Sequence, residues 1–193
     1  MKATTAAVRA AIDAARAAPD APLAFAECFT FTLATGVLLT WTNVDMPVSY
    51  NGATFSATGP LVQGLKYRAS VGLEVDKQQI AIAARPTDLI SGAPALQAIR
   101  QGAFDGATVQ RDRVFLDRIG GTAIGGVTLF HGRVATIDSV GRTRAEITVA
   151  SDLVVLDYDM PRNLYSPSCV HTLYDSGCGV VRGTFSASGT VGA

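Results

Sequence analysis

From Phe25 onward the chain takes up a period of two. Phe25, Phe29, Phe31 and Leu33 fall on one side of the repeat, and Ala26, Cys28, Thr30 and Thr32 on the other. That is the alternation a pleated strand requires, because successive side chains point to opposite faces. Segments of this kind recur as far as Val155, separated by residues that favour turns. Ala34-Thr35-Gly36 leads into VLLTWT, and Asn51-Gly52 lies between β-prone flanks, a strong hairpin signal because both positions tolerate positive φ. The first sixty residues therefore read as an antiparallel meander. Val71, Leu73 and Val75 alternate, as do Ile80 and Ile82, which gives one bent strand or two strands interrupted by the polar stretch Asp76 to Gln79 and ended by Pro86. Three more β segments follow, near Thr108 to Ile119, Gly126 to Val140 and Thr143 to Val155. The fold class is mainly β, an antiparallel barrel or sandwich.

Helices are few. Thr4 to Ala18 is alanine-rich, with a Thr cap, Val8 and Ile12 one turn apart, and Pro19 and Pro22 as terminators. So thin an apolar stripe gains its stability by docking, so this helical arm is either a packed lid or binds a neighbouring subunit. Ser91, Pro94, the run ALQAIRQ and Gly102 mark a second short helix, placed to plug one end of a barrel. The resulting division is a helical arm over 1–22, a β body over 23–160, and a cysteine-containing segment over 161–193 that begins a second small subdomain.

Composition narrows the function. Sixteen Lys plus Arg balance sixteen Asp plus Glu, and no basic run offsets this, so no field favours nucleic acid. No stretch approaches the roughly 18 apolar residues of a membrane span, and Arg9, Asp13 and Arg16 interrupt the place where a signal peptide would be apolar. Synthesis and assembly in the cytoplasm are expected. The 48% hydrophobic and 17% charged content suits a body with a full core and many partner contacts.

Signatures of enzymes are missing: there is no G-x-S-x-G, no phosphate-binding loop, no H-E-x-x-H and no dinucleotide glycine fingerprint. His131 sits in a strand pattern and reads as structural. Asp152, Asp157 and Asp159, beside Pro161 and Arg162, read as a solvated turn with a local ion pair. The informative piece is SPSCVHTLYDSGCGV. There Cys169 and Cys178 flank eight residues, and a turn at Asp175-Ser176-Gly177 brings them toward each other. Two readings stay open, a pair of buried structural thiols or two metal ligands with His171 as a third. The spacing is not that of a zinc knuckle. Cys28 reads as a small apolar filler rather than a ligand.

Four blocks, AECFTFTLATGVLLTWTNVDMPVSYNGATFSA, GLEVDKQQIAIAARPTDLISG, FHGRVATIDSVGRTRAEITVASDLVVLD and PRNLYSPSCVHTLYDSGCGV, resemble in wording and order a family of phage and gene-transfer-agent tail hub proteins. The family's opening T-x-x-D turn corresponds to Thr42 to Asp45, its hairpin to Gly52 to Phe55, its central strand to Glu74 to Ile80, and its late cysteine pair to Cys169 and Cys178. The family is similar to the minor tail protein L of lambda-like phages. The resemblance implies a structural, non-enzymatic β-barrel hub domain at a virion tail tip. It also implies a homotrimeric ring that closes the tail tube, with the distal tail protein, a central tip or fibre protein and the tape measure as neighbours. A four-cysteine iron–sulfur (4Fe-4S) cluster is implied as well; Cys169 and Cys178 would supply two ligands, and the sequence ends before a second pair. If so, either another subunit completes the site or a longer chain carries the rest. A ring subunit should also expose apolar patches as a monomer. The rival readings are a small metal- or cluster-dependent enzyme using Cys169, His171 and Cys178, and a carbohydrate-binding module with Trp41 and a few tyrosines as its platform.

Overall fold

Eleven strands and two helices follow one another along the described part of the chain. They are α1 (Ala6–Ala17), β1 (Phe25–Thr32), β2 (Leu38–Thr42), β3 (Val48–Tyr50), β4 (Ala53–Phe55), β5 (Leu61–Arg68), β6 (Lys77–Ala83), β7 (Leu89–Ile90), β8 (Ala93–Pro94), α2 (Ala95–Arg100), β9 (Thr108–Leu116), β10 (Ala123–Val140) and β11 (Arg144–Ser151). The structure is a computed structural model and describes residues 4–18, 23–68, 75–157, 169, 171–175, 177–187 and 189. One unit spans Met1–Leu156 and a second Asp157–Ala193.

In the first unit seven strands form a single antiparallel sheet in the order β2-β1-β9-β10-β11-β6-β5. The sheet curls into a half-barrel and so bears out the mainly β reading, although it stops short of closure. Its concave side holds the main core, where Phe29, Phe31, Val62, Ile80, Ile82, Ile99, Phe104 and Ile147 are essentially inaccessible to solvent. Trp41 of β2 and Val62 of β5 share this core, so the seam between the two outer strands is filled by side chains. Helix α2 lends Ala95, Ala98 and Ile99 to the same interior, as a plug would.

β1 is buried on both faces. Its residues Phe29 and Phe31 enter the main core, while Ala26 and Cys28 join Val48, Phe55, Val114 and Leu116 in a second cluster. The cover on that second face is the β3–β4 hairpin, with Asn51 at φ 51° and Gly52 at φ 79° forming the turn. The expected meander is thereby corrected. β1 pairs with β2 on one side and with the distant β9 on the other. The hairpin forms a sheet of its own, tied to β2 by the Trp41–Ser56 bridge.

Three more expectations change. Of the polar stretch Asp76 to Gln79, Lys77, Gln78 and Gln79 lie within β6, where Gln78 is fully buried. β5 was hidden in the sequence because a bulge between Gly64 and Tyr67 shifts its alternation partway along. Ser91 is no helix cap: with φ 51°, beside Gly92 at φ 86°, it forms the turn between β7 and β8, and Pro94 takes the cap position. Val71, Leu73, Asp159, Pro161 and Arg162 lie outside the described residues.

The N-terminal helix is capped by Thr5, whose hydroxyl accepts from the Val8 amide at 3.4 Å. It docks on β10 through Val8, the one fully buried residue of α1. Gly125 makes this possible, because a Cβ there would lie 2.7 Å from both Thr5 Oγ1 and Val8 Cγ2. Among the described residues no helix is long and apolar enough to cross a membrane.

Candidate attachment surface

Both late cysteines belong to the second unit, and Cys178 sits on a turn organised by Asp175. Its carboxylate accepts from the amides of Thr172 (3.0 Å), Gly177 (2.8 Å) and Cys178 (2.8 Å), and His171 Nδ1 lies 3.5 Å away. Desolvation pushes the Asp175 carboxyl up, but the three amide hydrogen bonds and the His171 charge outweigh it and hold the group below the ordinary aspartate range. The side-chain turn appears where the sequence places it. Cys169, however, is exposed and Cys178 only half-buried, so the reading of both as buried structural thiols is corrected. Among the described residues no three His, Cys, Asp or Glu side chains gather as metal ligands. An iron–sulfur cluster takes about four thiolates, of which Cys169 and Cys178 would be two.

Cys28 is a different thiol. It is wholly buried between β1 and the β3–β4 hairpin, and burial, reinforced by the charges of Asp112 and Glu27 against a hydrogen bond from Thr42, pushes it up to about 12. Such a thiol is inert, since the thiolate is the nucleophile. Iodoacetamide at neutral pH is therefore expected to alkylate Cys169 rapidly and Cys28 only after denaturation. Peptide mass spectrometry reads the order directly, and early labelling of Cys28 would contradict this packing.

His131 is held by a carboxylate. It alternates with Arg133 along β10, and the two flank Asp152, with His131 Nδ1 at 2.8 Å and Arg133 Nε at 3.6 Å from its carboxylate oxygens. Asp152 is thus paired from β10 rather than locally, and Arg162, the neighbouring cation of the expected turn, lies outside the described residues.

A feature the sequence reading missed is a cleft of about 260 Å³ at one end of the half-barrel. Four separate segments build it: Leu23 to Phe25 entering β1, Val44 to Val48 after β2, Leu116 closing β9, and Ile119 to Gly121 in the turn that follows. Glycine suits position 120 because its φ of 74° is one that L side chains rarely adopt. The rim is apolar and open to solvent, with Leu23, Phe25 and Met46 each about two-fifths exposed and Ile119 at 76%. An isoleucine set between Arg118 and Gly120-Gly121, where a turn needs none, was the available signal.

A curled sheet with an apolar cleft at one end defines a β scaffold with an exposed apolar surface. Residues 9–181 match the family described as baseplate hub protein, N-terminal attachment domain. In fold, the chain is similar to a protein in the solved virion of a native gene transfer agent particle, with a TM-score of 0.59 at 22% identity. That similarity covers 86% of this chain and 52% of the other, so this chain spans about half of that protein's length. No curated protein sequence matches. The chain belongs to the baseplate hub protein family and is a structural component of a phage-type tail or baseplate hub.

Proposed function

We propose that this domain is the ring-forming part of a tail-tip hub: three copies close the end of the tail tube and join the distal tail protein to the central tip protein, with the tape measure above. On this reading assembly takes place in the bacterial cytoplasm, and residues 161–193 begin a second small subdomain. The observation that carries the reading is the cleft rim, where Leu23, Phe25, Met46 and Ile119 stand in solvent on the monomer. Ring closure joins two different patches of neighbouring copies, and an obligate contact of this kind buries about 2,000 Å² or more of largely apolar surface. The cleft and its rim supply the centre of such a patch.

Light scattering on the full chain tests it. The expected mass is three times that of the 20.1 kDa chain, and Ile119→Asp, which adds a charge at a fully solvated turn, is expected to shift the protein to monomer with its circular dichroism unchanged. A wild-type monomer at every concentration, or a trimer indifferent to Ile119→Asp, counts against the ring. Iron and sulfide assayed in the same sample test the cluster that the resemblance implies; a metal-free trimer leaves Cys169 and Cys178 as thiols.

A further inference from the structure

The apolar side chains that the first unit exposes fall into two groups, and the topology places them. Every strand of the seven-stranded sheet is antiparallel to its neighbours, so the chain visits the two ends of the half-barrel in alternation. At one end β1 and β10 begin and β2 and β9 finish. Leu23, Phe25, Met46 and Ile119 stand there, on the rim of the apolar cleft. At the far end β1 and β6 finish and β2 and β5 begin. Val37, Leu38 and Leu61 stand there, with Leu89 on the β7–β8 hairpin that follows β6. Among the described residues of the first unit no other large hydrophobic side chain is exposed. Charge follows the same division. Asp45 is exposed between Val44 and Met46 of the cleft, with no cation paired to it among the described residues. At the far end Arg85 and Arg144 are answered by Asp88 (3.3 Å) and Glu146 (3.1 Å). Arg142, exposed on the β10–β11 turn, pairs with no carboxylate among the described residues. Asp117 and Arg118 near the cleft, and Arg100 and Asp105 at the far end, cancel in sign.

We infer that the far end of one copy docks on the cleft end of the next, head to tail, with Leu38 and Leu89 against the cleft rim and Arg142 facing Asp45. The partner is a second copy of this chain, and for that choice the inference rests on the ring reading. A contact that closes a ring is heterologous: it joins two different patches of one chain, and the first unit carries two. Both patches ride on one continuous sheet, so their separation is the same in every copy, as a repeating contact requires. The charges left over at the two ends are opposite, which fixes the direction in which copies add. A two-fold contact of cleft on cleft would leave the far-end group in solvent and Arg142 unanswered. The rival occupants of the cleft are Val181 and Phe185, exposed in the second unit.

The test mixes two variants of the full chain and reads their mass by light scattering. Ile119→Asp spoils a copy's cleft and keeps its far end, while Leu38→Asp combined with Leu89→Asp does the reverse. Each alone is expected to be monomeric at concentrations where the wild type assembles. Circular dichroism checks the fold, since all three side chains are exposed. An equimolar mixture keeps one good contact per pair and is expected to give a species of twice the chain mass and nothing larger. Asp45→Arg or Arg142→Asp alone is expected to weaken assembly about tenfold, and the two reversals together to restore it. With a trimeric wild type, three results overturn the inference and leave the ring reading standing: a far-end variant that still assembles, a mixture that stays monomeric, or a double reversal no better than the single ones. Loss of assembly in Val181→Asp combined with Phe185→Asp, with the far-end variant still assembled, overturns it in favour of the second unit. A wild type that is monomeric at every concentration overturns both.

Discussion

Gly132→Ala is expected to destabilise the first unit by about 3 kcal/mol or more, a fall of roughly 6 to 12 °C in melting temperature for a domain of this size. The cause lies in the course of β10. This strand pairs with β9 from Ala123 to Arg133 and with β11 from Gly132 to Val140, so the two partners overlap only at Gly132 and Arg133. The curl of the sheet concentrates there, and the backbones close in. A Cβ on Gly132 would lie 2.1 Å from the carbonyl oxygen of Ala150 and 3.0 Å from Phe130. A carbonyl in a paired strand has no flexible end to move aside. Gly36→Ala is the natural control: its φ of 84° is strained for alanine, yet nothing lies within 4 Å, so the expected cost is only about 1 kcal/mol. Thermal unfolding of the two variants should separate them clearly. Equal losses would mean that strand flexibility, rather than the close crossing, governs the site.

Glu27→Ala is expected to cost about 3 to 5 kcal/mol, the usual penalty for leaving a buried charge without its partner. Glu27 lies on β1 with only a tenth of its side chain exposed. It receives hydrogen bonds from Arg111 and, at 2.6 Å, from Arg113, both on β9. The arginines are themselves positioned by aromatic rings, Arg111 at 5.8 Å from the Phe29 ring centre and Arg113 at 4.8 Å from that of Phe25. Without the carboxylate, two guanidinium groups on neighbouring positions of one strand face each other uncompensated. Burial pushes the Glu27 carboxyl up, but the Arg113 hydrogen bond and the charge and hydrogen bond of Arg111 win and hold it below its ordinary value of 4.5. A depressed folded value stabilises the native state above the unfolded value and loses that contribution as pH falls through the folded one. Urea unfolding should therefore show wild-type stability dropping as pH falls below about 4.5, with Glu27→Gln less stable at neutral pH and flatter below it. A wild type and variant with parallel acid profiles would remove Glu27 from the account.

Local signals in the sequence carried much of the fold. The alternation in β1, the Asn51-Gly52 hairpin, the three late strands and the helix α1 all depend on neighbours within a few residues, and all appear. The turn at Asp175 was legible for the same reason, since every group that organises it lies between His171 and Cys178. What stayed hidden is long-range. Glu27 interrupts the apolar side of β1, and nothing nearby announces that arginines more than eighty residues away will neutralise it. The bulge in β5 breaks the period that a strand reading depends on, which concealed the strand. The apolar cleft comes from four segments, each of which alone is an ordinary loop with one hydrophobic residue.

Trp41 offers a practical consequence. It is the sole tryptophan of the chain, buried on the outer strand β2, tilted against Phe31 with ring centres 5.3 Å apart, and lodged beside Gly59 just before β5. Its indole therefore stands at the seam of the half-barrel, so its fluorescence is a built-in gauge of that seam: a red-shifted emission without loss of α or β signal would register the two outer strands parting while the rest of the sheet holds.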